Sequence, residues 1–71
     1  MAYENQEIKE TLELTFDTMQ GMGYPALDQL TGFILSGDPS YISAKNGVRI
    51  KMERLDRDEL VLELLKAYLK K

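Results

Sequence analysis

Residues 35–42 read Leu35-Ser36-Gly37-Asp38-Pro39-Ser40-Tyr41-Ile42 and decide the fold, because they predict a helix end, a sharp turn and a new start within eight residues. Gly37 is the residue best able to adopt the left-handed conformation that closes a helix. The side chain of Asp38 can cap the next turn, and Pro39 suits the first position after a cap, where a backbone N–H lacks a partner anyway. The stretch therefore predicts a corner between two helical segments.

Two helices are predicted before this corner. In the first, over residues 5–20, apolar side chains recur at helical spacing within a stripe about 80° wide; these are Ile8, Leu12, Phe16 and Met19. Gly21-Met22-Gly23 ends it, since glycine is a poor helix former and a good C-terminal cap. The second helix opens at Tyr24-Pro25 and runs to Leu35, with Leu27, Leu30, Phe33 and Ile34 facing inward. Gly32 within it is predicted to allow close approach of another helix.

Residues 41–52 allow two interpretations. Asn46-Gly47 followed by alternating apolar residues is typical of a β-hairpin. The spacing of Val48, Met52 and Leu55, by four and then three residues, is typical of a helix instead. A two-stranded hairpin is marginally stable alone, so we favour a short helix over residues 47–55 and keep the hairpin as the alternative.

The last helix is the clearest. Asp56 and Glu59 have the spacing of a capping box, and Asp58 adds negative charge at the positive end of the helix. Beyond them the apolar side chains cover an arc of roughly 220°, whereas packing against one small core needs roughly 100°. The excess predicts a homodimer whose interface contains Val61, Leu62, Leu65, Tyr68 and Leu69.

The length of 71 residues predicts a single domain, and the helical patterns make it an all-α domain of about four helices over residues 1–71. The chain has no cysteine or histidine, which excludes disulfides and the usual zinc site. No run approaches the roughly 20 apolar residues of a membrane span, and the acidic start is unlike a signal peptide, so a cytoplasmic protein is expected. The net charge of −3 divides into −6 over residues 1–40 and +3 over residues 41–71. This separation of charge along the chain suits a partner that is guided to the protein electrostatically, or antiparallel pairing of two copies.

No residue pattern predicts catalysis, a metal site or a cofactor. The serines have no histidine partner, and the acids of the first helix are spaced as an exposed face. Five bases do cluster within residues 45–57, and we take Arg49, Arg54 and Arg57 as candidate partner-binding residues. Interspersed Glu53 and Asp56 favour a protein partner over nucleic acid. The alternatives are a helix-turn-helix DNA-binding regulator and an ordinary solvated surface.

The chain resembles the IreB family of small regulatory proteins from Gram-positive bacteria, called ReoM in some of them. The resemblance is carried by Gly23-Tyr24-Pro25, by Gly32-Phe33 with the 35–42 stretch, and by Arg57-Asp58-Glu59-Leu60 leading to Tyr68 and Leu69. It implies an all-helical homodimer without enzymatic activity that is phosphorylated by a transmembrane Ser/Thr kinase. It further implies control of cell-wall synthesis and antibiotic tolerance, in part of the family through Clp-protease degradation of MurA.

The resemblance also bears on individual residues. Arg49 and Arg57 match bases that matter for the family's activity, and Arg54 stands where the family usually has a lysine. The family's phosphorylated threonine lies in a tail before the first helix, but residues 1–10 contain no serine or threonine. Thr11, the first serine or threonine, falls inside the predicted helix, so no phosphorylation site is assigned. Residues 43–47 also depart from the family's pattern.

Overall fold

Four α-helices and two 3₁₀ turns, without a strand, make up residues 2–71, the part of the chain that a computed structural model describes, with side chains from residue 6 onward. The helices are α1 (Ala2–Gly21), α2 (Ala26–Ser36), α3 (Val48–Glu53) and α4 (Arg57–Leu69), and the 3₁₀ turns are Pro39–Tyr41 and Lys45–Gly47. The all-α prediction of about four helices is confirmed.

The core forms around α1, which contacts each of the other three helices. Its predicted stripe is confirmed, with Ile8 and Met19 buried and Leu12 and Phe16 packed against the core. Thr15 is also fully buried, and its hydroxyl donates to the carbonyl of Thr11 at 2.7 Å, so no polar atom is left unpaired there. The other helices and Ile42, which follows the first 3₁₀ turn, add the remaining core side chains, which are Ala26, Leu30, Phe33, Ile42, Val48, Met52 and Leu60.

The first two helices differ from prediction in start and orientation. Helix α1 begins at Ala2 rather than Asn5, because residues 2–20 contain no glycine or proline to interrupt it. Helix α2 begins after Pro25 and buries Ala26, Leu30 and Phe33. The prediction that Leu27 faces inward was wrong, since this side chain is 69% exposed. It lies about 90° around the helix from the buried stripe.

The corner of residues 35–42 forms as predicted. Gly37 is left-handed with φ 76°, and its N–H donates to the carbonyl of Phe33 at 2.7 Å. Asp38 precedes the first 3₁₀ turn, its carboxylate accepts the N–H of Ser40 at 2.9 Å, and Pro39 is the first residue of the turn. Gly32 does permit a close approach, but from the ring of Tyr41 in this turn rather than from a helix.

The segment after the corner forms a helix, and the hairpin alternative over 41–52 was wrong. Asn46 and Gly47 are both left-handed, with φ 58° and 70°, and they turn the chain into α3. Val48 and Met52, one helical turn apart, are fully buried, whereas Ile50 is 55% exposed. A strand would have placed these three side chains on one face, so burial of only two of them against α1 selects the helix. The helix is shorter than the predicted 47–55.

Helix α4 begins at the predicted cap, but few of its side chains pack against the rest of the protein. The carboxylate of Asp56 accepts the N–H of Asp58 at 2.9 Å, and left-handed Lys70 follows the last residue. Leu60 is its one fully buried side chain among the residues the structure describes. Most of the predicted apolar arc is therefore not used by the core.

Candidate protein-binding site

The predicted basic cluster is divided between two places in the fold. Arg49 and Arg57 both contact the backbone of the corner formed by residues 34–42, hereafter the arginine corner. Arg54 lies instead beside α1, together with Lys51. The structure thus joins two of the three candidate arginines and separates the third.

Arg57 is the first residue of α4 and caps the end of α2. Its Nη1 donates to the carbonyl oxygen of Ile34 at 2.9 Å. That carbonyl is one of the last four of α2, which have no partner within their own helix, and a cation is favoured at this negative end. The guanidinium also lies over Gly37, with its Cζ 2.7 Å from where a Cβ would stand. Glycine at position 37 therefore both permits the left-handed backbone and leaves space for the guanidinium of Arg57.

Arg49 contacts the backbone at the C-terminal end of the arginine corner. The side chain is half-buried, and its Nε donates to the carbonyl oxygen of Ile42 at 2.7 Å. Its charge also acts on Asp38, whose pKa lies below its ordinary value. The N–H of Ser40 is the main cause of that lowered pKa and the Ser40 hydroxyl the next, while partial desolvation opposes them and the charge of Arg49 adds to them.

The arginine corner has the composition of a protein-binding surface. A guanidinium has five N–H donors, and the described contacts of Arg49 and Arg57 with backbone carbonyls use one on each. The remaining donors are available to carboxylate or carbonyl oxygens of a partner. Leu35 is 79% exposed and Tyr41 is 38% exposed beside them. Arginine and tyrosine next to exposed apolar area are typical of the residues that dominate protein interfaces.

Arg54 faces a different surface, a shallow groove between α1 and the end of α3. Lys51 and Arg54 line one wall, while Glu7 and Glu10 line the other. Thr11 and Leu14 complete the groove. Both signs of charge face each other here, which does not favour the phosphate backbone of a nucleic acid.

The outer face of α4 contains the residues predicted for a dimer interface. Their exposed fractions run from 38% to 85%, for Val61, Leu62, Leu65, Tyr68 and Leu69. Leu64, 41% exposed, adjoins them and also lines a groove whose other residues are Leu12, Glu13, Phe16, Asp17 and Leu30. Since isolated helices of this length are marginal in water, α4 depends on tertiary or intermolecular contacts for its stability.

Within residues 6–71, no three Asp, Glu, Cys or His side chains come together as a metal-binding group would require. No described helix combines the length and the hydropathy needed to cross a membrane.

Sequence reasoning selected Arg57 and Gly37 separately but could not pair Arg57 with the carbonyl of Ile34, 23 residues away. No motif encodes that bond, because the acceptor is backbone. The exposed Leu35 was likewise missed, since its helix has apolar residues on more than one face.

Fold and surface together define a small all-α domain with an arginine-lined corner and an exposed apolar face on α4. The chain belongs to the IreB regulatory phosphoprotein family, whose sequence model matches residues 1–70. This family is regulatory rather than catalytic.

Proposed function

We propose that this protein is a non-enzymatic cytoplasmic adaptor that regulates other proteins by binding them. The observation that carries the proposal is the match of residues 1–70 to a family of regulatory phosphoproteins. It is supported by the arginine corner, where Arg49 and Arg57 combine fixed positions with spare hydrogen-bond donors. Arg54 supplies a third cation on the neighbouring α1–α3 groove.

The pathway we propose is the one that the family resemblance implies. The adaptor acts downstream of a transmembrane Ser/Thr kinase and controls cell-wall synthesis and antibiotic tolerance. It does so by promoting degradation of MurA by a Clp protease, so the protein partners are the kinase, the Clp system or MurA. Neither nucleic acid nor a membrane is proposed as a partner, and no cofactor is required.

We further propose that two copies pair through the outer face of α4. Support comes from Val61, Leu62, Leu65, Tyr68 and Leu69, which together leave an apolar face uncovered on a helix with a single fully buried side chain in the described chain. The opposite charges of residues 1–40 and 41–71 favour an antiparallel arrangement of the copies. Burying this face would supply contacts that a 71-residue core lacks.

The test of the adaptor function is MurA turnover by purified Clp protease, with and without this protein. We expect faster turnover, and we expect Arg54→Ala to reduce the acceleration. Substitution of Arg54 gives the clearest test of binding, because this residue is exposed and its side chain makes no hydrogen bond or ion pair within residues 6–71. Substitution of Arg57 would also remove the contact with Ile34 and so confuse folding with binding.

The matched control is Lys9→Ala, which removes one exposed positive charge from α1. It should accelerate MurA turnover as the unsubstituted protein does. No acceleration at a saturating concentration would refute the Clp–MurA route. Binding of duplex DNA at low salt, weakening steeply as salt rises, would favour the helix-turn-helix alternative instead.

A further inference from the structure

Helix α4 separates from α1 after its first turn. Leu60, Leu64 and Ala67 share one side of α4, because residues three or four positions apart lie on the same helix face. Leu60 is fully buried, whereas Leu64 is 41% exposed and Ala67 is exposed. The two helices therefore part beyond Leu60 and leave a groove between them, hereafter the α1–α4 groove. It consists of two adjoining depressions that share Leu12, Glu13 and Leu64.

The inner surface of the α1–α4 groove is apolar. Its apolar residues are Ile8, Leu12, Phe16, Leu30, Leu64 and Ala67. Along α1 they recur every four residues from Ile8 to Phe16, over a distance of roughly 12 Å. The apolar side chains of an amphipathic helix recur at this same spacing, so the groove matches about two turns of such a helix.

The charges that border the groove are mostly negative. Glu13 and Asp17 lie on the α1 side together with Lys9, and Glu63 lies on the α4 side, where Nζ of Lys66 pairs with it at 3.3 Å. The excess negative charge is therefore on α1, which contains five acidic residues and one basic residue. Such a border attracts a cationic segment and repels an acidic one.

We infer that the α1–α4 groove binds a cationic amphipathic helix of a partner protein. The apolar side chains of that helix enter the groove between α1 and α4. Its lysine or arginine side chains reach the carboxylates of Glu13 and Asp17 at the border. The apolar contacts supply most of the affinity, and the charges select a cationic helix over an acidic one.

A second copy of this chain does not supply such a helix. Helices α1, α2 and α4 each contain more acidic than basic residues, and Lys70 and Lys71 lie beyond the end of α4. Helix α3 contains two bases and one acid, but it is only six residues long and buries Val48 and Met52. The charge of the groove thus favours another protein as its partner.

The proposed pairing of two copies through the outer face of α4 also leaves the groove open. Glu63 and Ala67, which line the groove, lie roughly 100° or more around the helix from Leu62 and Leu65 of that outer face. Both surfaces can therefore be occupied at the same time.

The α1–α4 groove gives the protein a second binding surface, and its use to bring two proteins together rests on the proposed adaptor function. The arginine corner suits an acidic partner, whereas the groove suits a cationic helix. No residue lines both places, so a partner at one removes no contact from the other.

The groove is tested with a synthetic peptide of about 18 residues, a length at which an isolated helix can form. The peptide consists of leucine, lysine and alanine, with leucines along one helical face and lysines on either side of them. A matched peptide has glutamate in place of each lysine. Fluorescence anisotropy of each labelled peptide, titrated with the full chain, should show at least about tenfold tighter binding of the lysine peptide. Equal binding of the two peptides, or no binding of the lysine peptide, would overturn the proposal.

Substitutions in the full chain then locate the bound peptide. Glu13→Lys reverses a charge at the border and should weaken binding about tenfold, whereas Glu7→Lys, the same change beside the α1–α3 groove, should weaken it less than about threefold. Ala67→Lys should also weaken binding about tenfold, and Leu62→Lys, on the outer face of the same helix, should not. Equal effects of the two glutamate substitutions, or loss of binding with Leu62→Lys alone, would place the peptide elsewhere and refute the assignment.

Sedimentation velocity distinguishes a partner helix from a second copy in the groove. Ala67→Lys should leave the oligomeric state of the protein unchanged, and its conversion of a dimer to a monomer would show a second copy there and overturn the proposal. None of these measurements needs Clp protease or MurA. Failure of peptide binding would therefore leave the adaptor function standing, whereas absent acceleration of MurA turnover would count against that function alone.

Discussion

Substitution of Gly37 by alanine tests whether the contact between Arg57 of α4 and the end of α2 depends on the absence of a side chain at position 37. At φ 76° the backbone is left-handed, which costs a residue with a Cβ about 1 kcal/mol. The new Cβ would stand 2.7 Å from Cζ of Arg57. Because a guanidinium is the far end of a flexible side chain, we expect it to move away and to lose its bond to Ile34 rather than to strain the backbone.

The magnitude follows from these two losses. Losing an exposed charge-assisted hydrogen bond costs about 1 kcal/mol, at the low end for such bonds because water replaces it in part. Gly37→Ala should therefore lower the free energy of unfolding by about 2 kcal/mol. For a domain of this size, 1 kcal/mol lowers Tm by roughly 4–8 °C, so the expected fall is roughly 8–16 °C.

Gly47→Ala is the matched control. Gly47 is also left-handed, with φ 70°, but a Cβ there would meet no atom within 4 Å. Gly47→Ala should therefore lower the free energy of unfolding only by the cost of placing a residue with a Cβ in the left-handed conformation, about 1 kcal/mol. The assay is urea unfolding followed by circular dichroism, with all variants at one protein concentration because dimerisation would make stability depend on it.

A double-mutant cycle with Arg57→Ala isolates the contact. In the Arg57→Ala background, Gly37→Ala should cost no more than Gly47→Ala does in the unsubstituted protein. The coupling between positions 37 and 57 should then be about 1 kcal/mol. Equal costs for Gly37→Ala and Gly47→Ala, with no coupling to position 57, would refute the reasoning.

Three further outcomes are expected. Leu30→Ala should lower the free energy of unfolding by about 2–3 kcal/mol because its side chain is buried, whereas Leu27→Ala, 69% exposed, should change it by less than about 0.5 kcal/mol in the same urea assay. Leu62→Lys and Leu69→Lys should each yield a monomer in sedimentation velocity, and a persistent dimer would disprove the placement of the interface on α4. Asp38 has a folded-state pKa below its ordinary value, mainly because its carboxylate accepts the N–H of Ser40. Its ionised form therefore stabilises the folded state above about pH 4, and this stabilisation is lost as pH falls through the folded pKa. Asp38→Asn should therefore flatten the acid side of the stability profile measured by thermal unfolding between neutral and acidic pH, and an unchanged profile would contradict this.

The candidate site was predictable from the sequence only in part. Basic residues between positions 45 and 57 identified a cationic segment, and Arg49, Arg54 and Arg57 are placed at the surface or partly buried as such residues should be. Which of them act together was not predictable. Arg49 lies in α3, whereas Arg54 follows the last residue of that helix and points to a different side. Helix α4 then starts in a new direction at Arg57, so proximity in sequence does not become proximity in space.

What the sequence by itself determined is local. The left-handed Gly37, the Asp38 cap with Pro39 behind it, and the Asp56 cap of α4 each depend on hydrogen bonds and backbone preferences within a few residues. These features were predictable because no distant part of the chain has to arrive for them to form.

Tertiary structure decided the rest. Residues 41–52 had two acceptable local conformations, and packing of Val48 and Met52 against α1 selected the helix. The outward direction of Leu27 and the bond from Arg57 to Ile34 likewise depend on elements that meet only after the chain folds back. The physical reason is that burial and long-range hydrogen bonds reward a conformation only once its distant partner is present, which a local pattern does not specify.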